Sequence, residues 1–184
     1  GNDLTFSLIL KEQNKRKLGL FSILSGVAII EGIKEFSDIQ CGLKWPNDIM
    51  LNNKKIGGIL IETKIKNDAT YSVIGIGINI NQQEIPEELQ SIASSLRIEN
   101  SNSIQREPLL AFILNVFEKL YKSNADEWVA IWKKYCNHMN KKITFHKNDT
   151  LLEGHFINID ANGNAIINID SKETLISSGV LEIS

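Results

Sequence analysis

The chain has 184 residues, 42% of them hydrophobic, which is enough apolar material for one full core and a small second domain. Its formal charge of -2 comes from interspersed acids and bases, without the basic patch that nucleic-acid binding leaves, so nucleic acid is not an expected partner. No apolar run reaches the length of a membrane span, and Cys41 and Cys136 lack CxxC spacing, so a cytoplasmic protein with two free thiols and no membrane contact is expected.

The sequence opens at Gly1 without an initiating Met and enters a strand-like run over residues 4–10 almost at once, the pattern expected of a fragment of a longer protein. The polar residues 11–17 read as a loop. Residues 20–36 carry Phe21, Leu24, Val27, Ala28, Ile30 and Ile33 at helical spacing, a buried-face helix. Residues 42–45, 49–51, 55–63 and 71–79 then read as strands, with hairpin turns at Asn52-Asn53 and Lys66-Asn67-Asp68, so several adjacent antiparallel strands are expected. A short helix is expected over residues 86–96, a loop over 97–105, and helices over 106–122 and 123–137, the last capped by Ser123 or Asn124. From Lys141 the character changes: residues 143–146, 150–159 and 164–169 alternate as short strands, with Asp160-Ala161-Asn162-Gly163 as a turn. The reading is α+β, with a domain over residues 1–139 and a small β-barrel-like domain over 140–184.

The chemistry concentrates between Lys44 and Glu62. Trp45-Pro46-Asn47-Asp48 places an amide and a carboxylate at a strand end whose direction Pro46 restricts. Lys55 returns through the Asn52-Asn53 turn to face Asp48. Such a pair is also what an ordinary solvated ion pair looks like. Gly57 and Gly58 inside a strand point to close approach by a ligand or another backbone. Gly75 and Gly77 alternate in Val73-Ile74-Gly75-Ile76-Gly77-Ile78-Asn79, so both share one strand face, as a ligand slot or a tight sheet-on-helix contact requires. His138, His146 and His155 lack ligand spacing and no metal site is assigned to protein residues; Trp128 and Trp132, four apart, read as core.

Trp45-Pro46-Asn47-Asp48, the stretch Lys54-Lys55-Ile56-Gly57-Gly58-Ile59-Leu60, and Gly75-Ile76-Gly77-Ile78-Asn79-Ile80-Asn81 resemble biotin protein ligases in order and spacing. The likeness continues through Ser94-Ser95-Leu96, the two following helices and Gly179-Val180-Leu181-Glu182-Ile183-Ser184. It implies a mixed, largely antiparallel sheet with packed helices and a C-terminal SH3-like β-barrel. It also implies activation of biotin by ATP to biotinyl-5′-adenylate, with Mg2+ accompanying ATP, and transfer to a lysine of a biotin carboxyl carrier domain.

By the same resemblance Lys55 and Asp48 are catalytic. Lys55, Gly57, Gly58, Leu60, Gly75 and Gly77 bind biotin, and Asn47, Asp48, Lys55 and Asn79 bind ATP. The family also implies a homodimer formed through the sheet. Its Gly/Arg-rich loop, which clamps the phosphates, precedes the strand that residues 4–10 resemble; with nothing before Gly1, the chain is expected to be a truncated ligase, inactive or nearly so. The alternatives are a lipoate or octanoyl ligase-like acyltransferase and a non-catalytic carrier-binding module. The charged residues 11–17 read as a solvated loop, with contact to the carrier domain as the lesser reading.

Overall fold

A computed structural model describes residues 2–12, 19–66, 69–147 and 150–183, with the side chains of Glu12, Lys66, His146 and Lys147 left aside. The chain order is β1 (Leu4–Glu12), α1 (Phe21–Ser37), β2 (Gly42–Lys44), β3 (Asp48–Leu51), β4 (Lys54–Lys66), β5 (Ala69–Ile78), α2 (Leu96–Asn100), α3 (Arg106–Tyr121), α4 (Ala125–Tyr135), β6 (Lys142–Lys147), β7 (Thr150–Ile159), β8 (Ala165–Ile169), β9 (Lys172–Ile176) and β10 (Leu181–Ile183). The first sheet has the order β1-β5-β4-β3-β2 and the second β10-β6-β7-β8-β9, each antiparallel throughout its ladders. The α+β class and the antiparallel sheets agree with the expectation. The barrel-like C-terminal unit is an open sheet: among the described residues no ladder joins β9 to β10.

Strand periodicity gives the first sheet two unlike faces. Leu4 of β1, Ile59 of β4 and Ile74, Ile76 and Ile78 of β5 are buried on one face. That face is covered by α1, which is apolar nearly all round, with buried residues from Phe21 to Ile33, because α3 and α4 pack on its other side. Gly32 makes the close approach possible, since a Cβ there would stand 2.8 Å from the backbone of Ile113 in α3. Trp128 and Trp132 of α4 are core, as expected, and Asn124 is the cap, its side chain accepting from Asp126 N at 3.2 Å.

Several expectations change. Residues 86–96 form no single helix: a 3-10 turn spans Glu87–Leu89, and Ile92 and Ser94 exchange backbone hydrogen bonds with Lys55. Helix α2 starts only after Ser95, whose hydroxyl accepts from Ile98 N at 3.1 Å. Strands β9 and β10 lay outside the expected set. The β8–β9 turn uses Asp170 and Ser171 at φ 49° and 66°, without the glycine that would have marked it. The Asn52-Asn53 turn does have its expected left-handed pair, φ 49° and 64°. The Asn67-Asp68 turn and residues 13–17 of the polar run lie outside the described residues, while Lys11 and Glu12 extend β1.

The second sheet is tied to the first through the end of α4. Cys136 bridges Leu43 of β2, Asn137 N donates to Leu43 O at 2.9 Å, and His138 packs edge-on against Phe156 with ring centroids 4.3 Å apart. His138 is therefore a core histidine, whereas His155 is exposed. Burial, reinforced by Lys44 and Lys141, pushes the His138 imidazole down to about 4. No helix among the described residues is long and apolar enough to cross a membrane.

Candidate functional site

The uncovered face of the first sheet holds the site. One rung crosses all five strands: Thr5 pairs with Gly77, Gly77 with Gly58, Gly58 with Asp48 and Asp48 with Lys44. The next rung carries Ser7, Gly75 and Leu60. Glycine at three of these central positions leaves a trough of about 360 Å³, with Thr5 and Ser7 along one side, Leu60 on the floor's edge and Lys55 at the end. A Cβ on Gly77 would find nothing within 4 Å, and one on Gly75 would make only ordinary contacts with Leu60 and Ser7.

Lys55 reaches this face because of a bulge. The β3–β4 register shifts between Ile49 and Met50: Ile49 faces Gly57 and Met50 faces Lys55, leaving Ile56 as the extra residue. Strict alternation would put Lys55 on the same side as Gly57 and Ile59, under α1. With the bulge, Lys55 joins Gly58 and Leu60, and Ile56 and Gly57 are both buried. The Lys55 Nζ stands 2.5 Å from Asp48 Oδ1, with Lys55 49% and Asp48 18% exposed, and it lies beside Gly58. The pair is held yet open to a ligand.

The backbone of Lys55 is gripped independently: its N–H donates to Ile92 O at 2.8 Å and its carbonyl accepts from Ser94 N at 3.0 Å. Behind this grip, Glu99 accepts from Ser94 Oγ and from Asn52 Nδ2, both at 2.6 Å. Burial alone would raise the Glu99 carboxyl, but these two bonds and nearby Lys54 hold it below its usual range. Asn47 Nδ2 donates to Ile59 O at 2.6 Å and Asn79 Nδ2 to Ser94 O at 3.0 Å. Each amide thus uses an N–H to brace the site and offers a ligand its Oδ1 as acceptor.

Of the residues singled out from sequence, the fold brings Asn47, Lys55, Gly58, Leu60, Gly75 and Gly77 to the trough, with Asp48 against Lys55. It does not bring Gly57 there: a Cβ on Gly57 would stand 2.7 Å from Gly77 O, so this glycine admits a neighbouring strand instead of a ligand. Asn79 lies past the trough, beside Ser94. Thr5 and Ser7, absent from the residues singled out from sequence, also line the trough; their alternation with Leu4, Phe6 and Leu8 marks them as the open face of β1. Nothing local in the sequence marks Glu99.

A second concavity, of about 350 Å³, lies at the other end of the β2–β3 hairpin and contains both cysteines. Burial pushes Cys41 up to about 12 and Cys136 up to about 11, so neither is a thiolate nucleophile near neutrality. The described residues contain no group of three or more His, Cys, Asp or Glu side chains placed to hold a metal ion. The chemistry available at the trough is therefore that of a flat, side-chain-free floor for a thin ligand, bordered by hydroxyls and ended by an ammonium suited to an anion.

Residues 1–79, which contain all five strands of this sheet, match the model of the biotin/lipoate A/B protein ligase family. The bifunctional ligase/repressor BirA of Bacillus subtilis is 34% identical over 191 residues, covering 100% of this chain and 59% of the relative. The chain thus spans well under two thirds of that relative's length. The BirA of Escherichia coli is 25% identical over 154 residues, covering 81% of this chain and 48% of its own. The crystal structure of biotin protein ligase from Aquifex aeolicus superposes with a TM-score of 0.88 at 25% identity, over 100% of this chain and 83% of that one. A family match over residues 1–79, a relative aligned along the whole chain and a solved fold superposed from end to end all support a biotin protein ligase.

Proposed function

We propose that this chain carries the catalytic region of a ligase that joins biotin to a lysine of a biotin carboxyl carrier domain by way of biotinyl-5′-adenylate. The observation that supports this most directly is the rung from Thr5 to Asp48, which ends a glycine-floored trough on the Lys55–Asp48 pair. In the first step a biotin carboxylate oxygen attacks the α-phosphorus of ATP and pyrophosphate leaves. In the second, the acceptor lysine amine attacks the acyl carbon, AMP leaves and the amine loses a proton. Lys55 neutralises the carboxylate and the α-phosphate as they approach one another. Asp48 holds that ammonium, and on its release is placed to receive the acceptor lysine's charge. Gly58, Gly75, Gly77 and Leu60 take the biotin rings, and Asn47 and Asn79 accept from the adenine amino group.

A relative, the Aquifex enzyme, has been solved in complex with biotin and ATP. Mg2+ would accompany ATP here: Asp48 supplies one hard oxygen ligand, and the triphosphate and water supply the rest, the usual arrangement for this ion. Lys55 is the one cation among the described residues lining the trough. Facing the full charge of ATP, the chain by itself is expected to bind the adenylate better than it makes it. The separate sheets support reading residues 1–139 and 140–184 as two domains, and the outer side of β1, unpaired among the described residues, supports dimerisation through that edge, which sedimentation tests directly. The setting of this chemistry is the cytoplasm.

The deciding experiment is calorimetric titration with biotinyl-5′-adenylate, with lipoyl-5′-adenylate as competitor. Lys55→Ala is expected to weaken binding by about 1.5–3 kcal/mol, the range for a charged hydrogen bond. Equal affinity in the variant and wild type would remove Lys55 from the site. Tighter binding of the lipoyl ligand would move the substrate to lipoate.

A further inference from the structure

We propose that the 160–164 turn of the second sheet is a positioning latch for the candidate site, gripping Trp45 through the Gly163 carbonyl and so fixing the turn that presents Asn47 and Asp48. The inference rests on the adenylate-forming reading above and assigns Asp160 and Gly163 as positioning residues. Strand β2 is an edge strand of three residues and β3 has four, so the turn between them sits at a sheet corner with little ladder to hold it. Yet Trp45, in that turn, is only 1% exposed.

Besides the backbone bond from Ile59 N to Asn47 O at 3.0 Å, three side-chain tethers hold the turn. The Ser22 hydroxyl of α1 donates to Pro46 O at 2.8 Å, the Asn47 amide donates to Ile59 O, and the Trp45 indole N–H donates to Gly163 O at 2.9 Å. Only the last comes from the second sheet. The turn that supplies it is itself organised by one carboxylate: Asp160 Oδ1 accepts from Asn162 N at 2.8 Å and from Asn164 N at 2.9 Å, and Oδ2 accepts from Asn164 Nδ2 at 2.9 Å. Burial works against the charged form of Asp160, but these hydrogen bonds hold its carboxyl below the usual range.

The turn also meets the residues that lead into α1. A Cβ on Gly19 would overlap the carbonyl oxygen of Asn162, and one on Gly163, whose φ is +83°, would come within 2.8 Å of Gly19 O. Backbone meets backbone at Gly19, which braces the 160–164 turn, and the indole hydrogen bond links the braced turn to Trp45. From Trp45 the path to the site is three residues long: Asn47 braces β4, and Asp48 meets Lys55.

The test uses the whole chain, with binding of biotinyl-5′-adenylate followed by calorimetry and the Asn47 side-chain amide and Asp48 carboxylate followed by NMR. Trp45→Phe keeps the packed ring and removes only the indole donor. It is expected to leave the circular dichroism unchanged, move the Asn47 and Asp48 signals, and raise the dissociation constant about tenfold. Asp160→Ala loosens the latch from the other side and is expected to reproduce both changes with Trp45 intact, while Asp160→Asn, which keeps the acceptor oxygen, restores most of the affinity. Wild-type signals and affinity in both Trp45→Phe and Asp160→Ala would overturn the latch. A wild-type chain that binds no adenylate would overturn the functional reading instead, and the NMR signals would still decide the latch.

Discussion

Glycines on the open face of the first sheet and inside the second stand in opposite circumstances. In the first sheet, Gly77 has open space above it, and Gly75 and Gly58 meet nothing closer than ordinary contact. In the second, a Cβ on Gly154 of β7 would lie 2.7 Å from the Ile167 side chain and 2.8 Å from the Asn168 carbonyl. The first set gives up packing to leave room for something from outside; Gly154 gives up a side chain so that the neighbouring strand β8 can come close. The charges divide in the same way. Lys55 is half exposed beside its carboxylate, whereas His138 is sealed against Phe156 and Trp132. Where packing is incomplete and charge is accessible, the molecule can do chemistry, and where both are buried it holds its shape.

The largest expected effect is on the sealed side. His138 is held neutral in the fold at about 4 against an ordinary 6.5, so between these values the unfolded chain binds a proton that the folded one refuses. Stability is therefore full above pH 6.5 and falls as the pH drops toward 4, by about 3 kcal/mol in all. Urea unfolding across this range should show the loss and a His138→Gln variant should not; an identical slope in the variant would assign the loss to other groups.

Gly154→Ala is expected to cost about 2 kcal/mol, the usual range for forcing atoms into a filled core, because the Asn168 carbonyl cannot move aside as a side chain would. Thermal melting measures it, and an unchanged melting temperature would mean the two glycine environments are alike. Gly77→Ala should do the reverse. It should leave stability unchanged or raise it by about 0.5 kcal/mol, since alanine is better tolerated than glycine within a strand, while the methyl group intrudes on the trough and weakens adenylate binding about tenfold. Undiminished binding would place the ligand elsewhere. The smallest effect is expected from Leu60→Ala. The side chain is 64% exposed, so stability should change by less than about 0.5 kcal/mol, with affinity falling about threefold as apolar contact is lost; a clear drop in melting temperature would contradict its place on the open face.

Much of this contrast was legible along the chain. Helix α1, the Asn52-Asn53 turn and the alternation that puts Gly75 and Gly77 together follow from local patterns of spacing and turn chemistry. The departures have separate causes. Residues 92–94 read as helix locally, since nothing nearby says that their backbone pairs with Lys55, some forty residues earlier in the chain. Gly57, which the resemblance implies to be a biotin residue, is adjacent to Gly58, and strand alternation sends the two to opposite faces, Gly57 beside Ile78 and Gly58 to the trough. Strands β9 and β10 are short and polar at their exposed positions, so their alternation is weak until β8 and β6 are beside them.

The sequence by itself determined which segments repeat with period two or 3.6, where the chain turns, and which chemical groups are available: the ammonium of Lys55, the carboxylate of Asp48, the amides of Asn47 and Asn79 and the bare glycine backbone. Tertiary structure decided which of these face one another. A bulge reverses the face of every residue on one side of it, and the space above a glycine is set by whatever distant strand or helix comes to rest there. Neither quantity is local, which is why Lys55 becomes a site residue only when β3, β4 and the 92–94 segment have assembled around it.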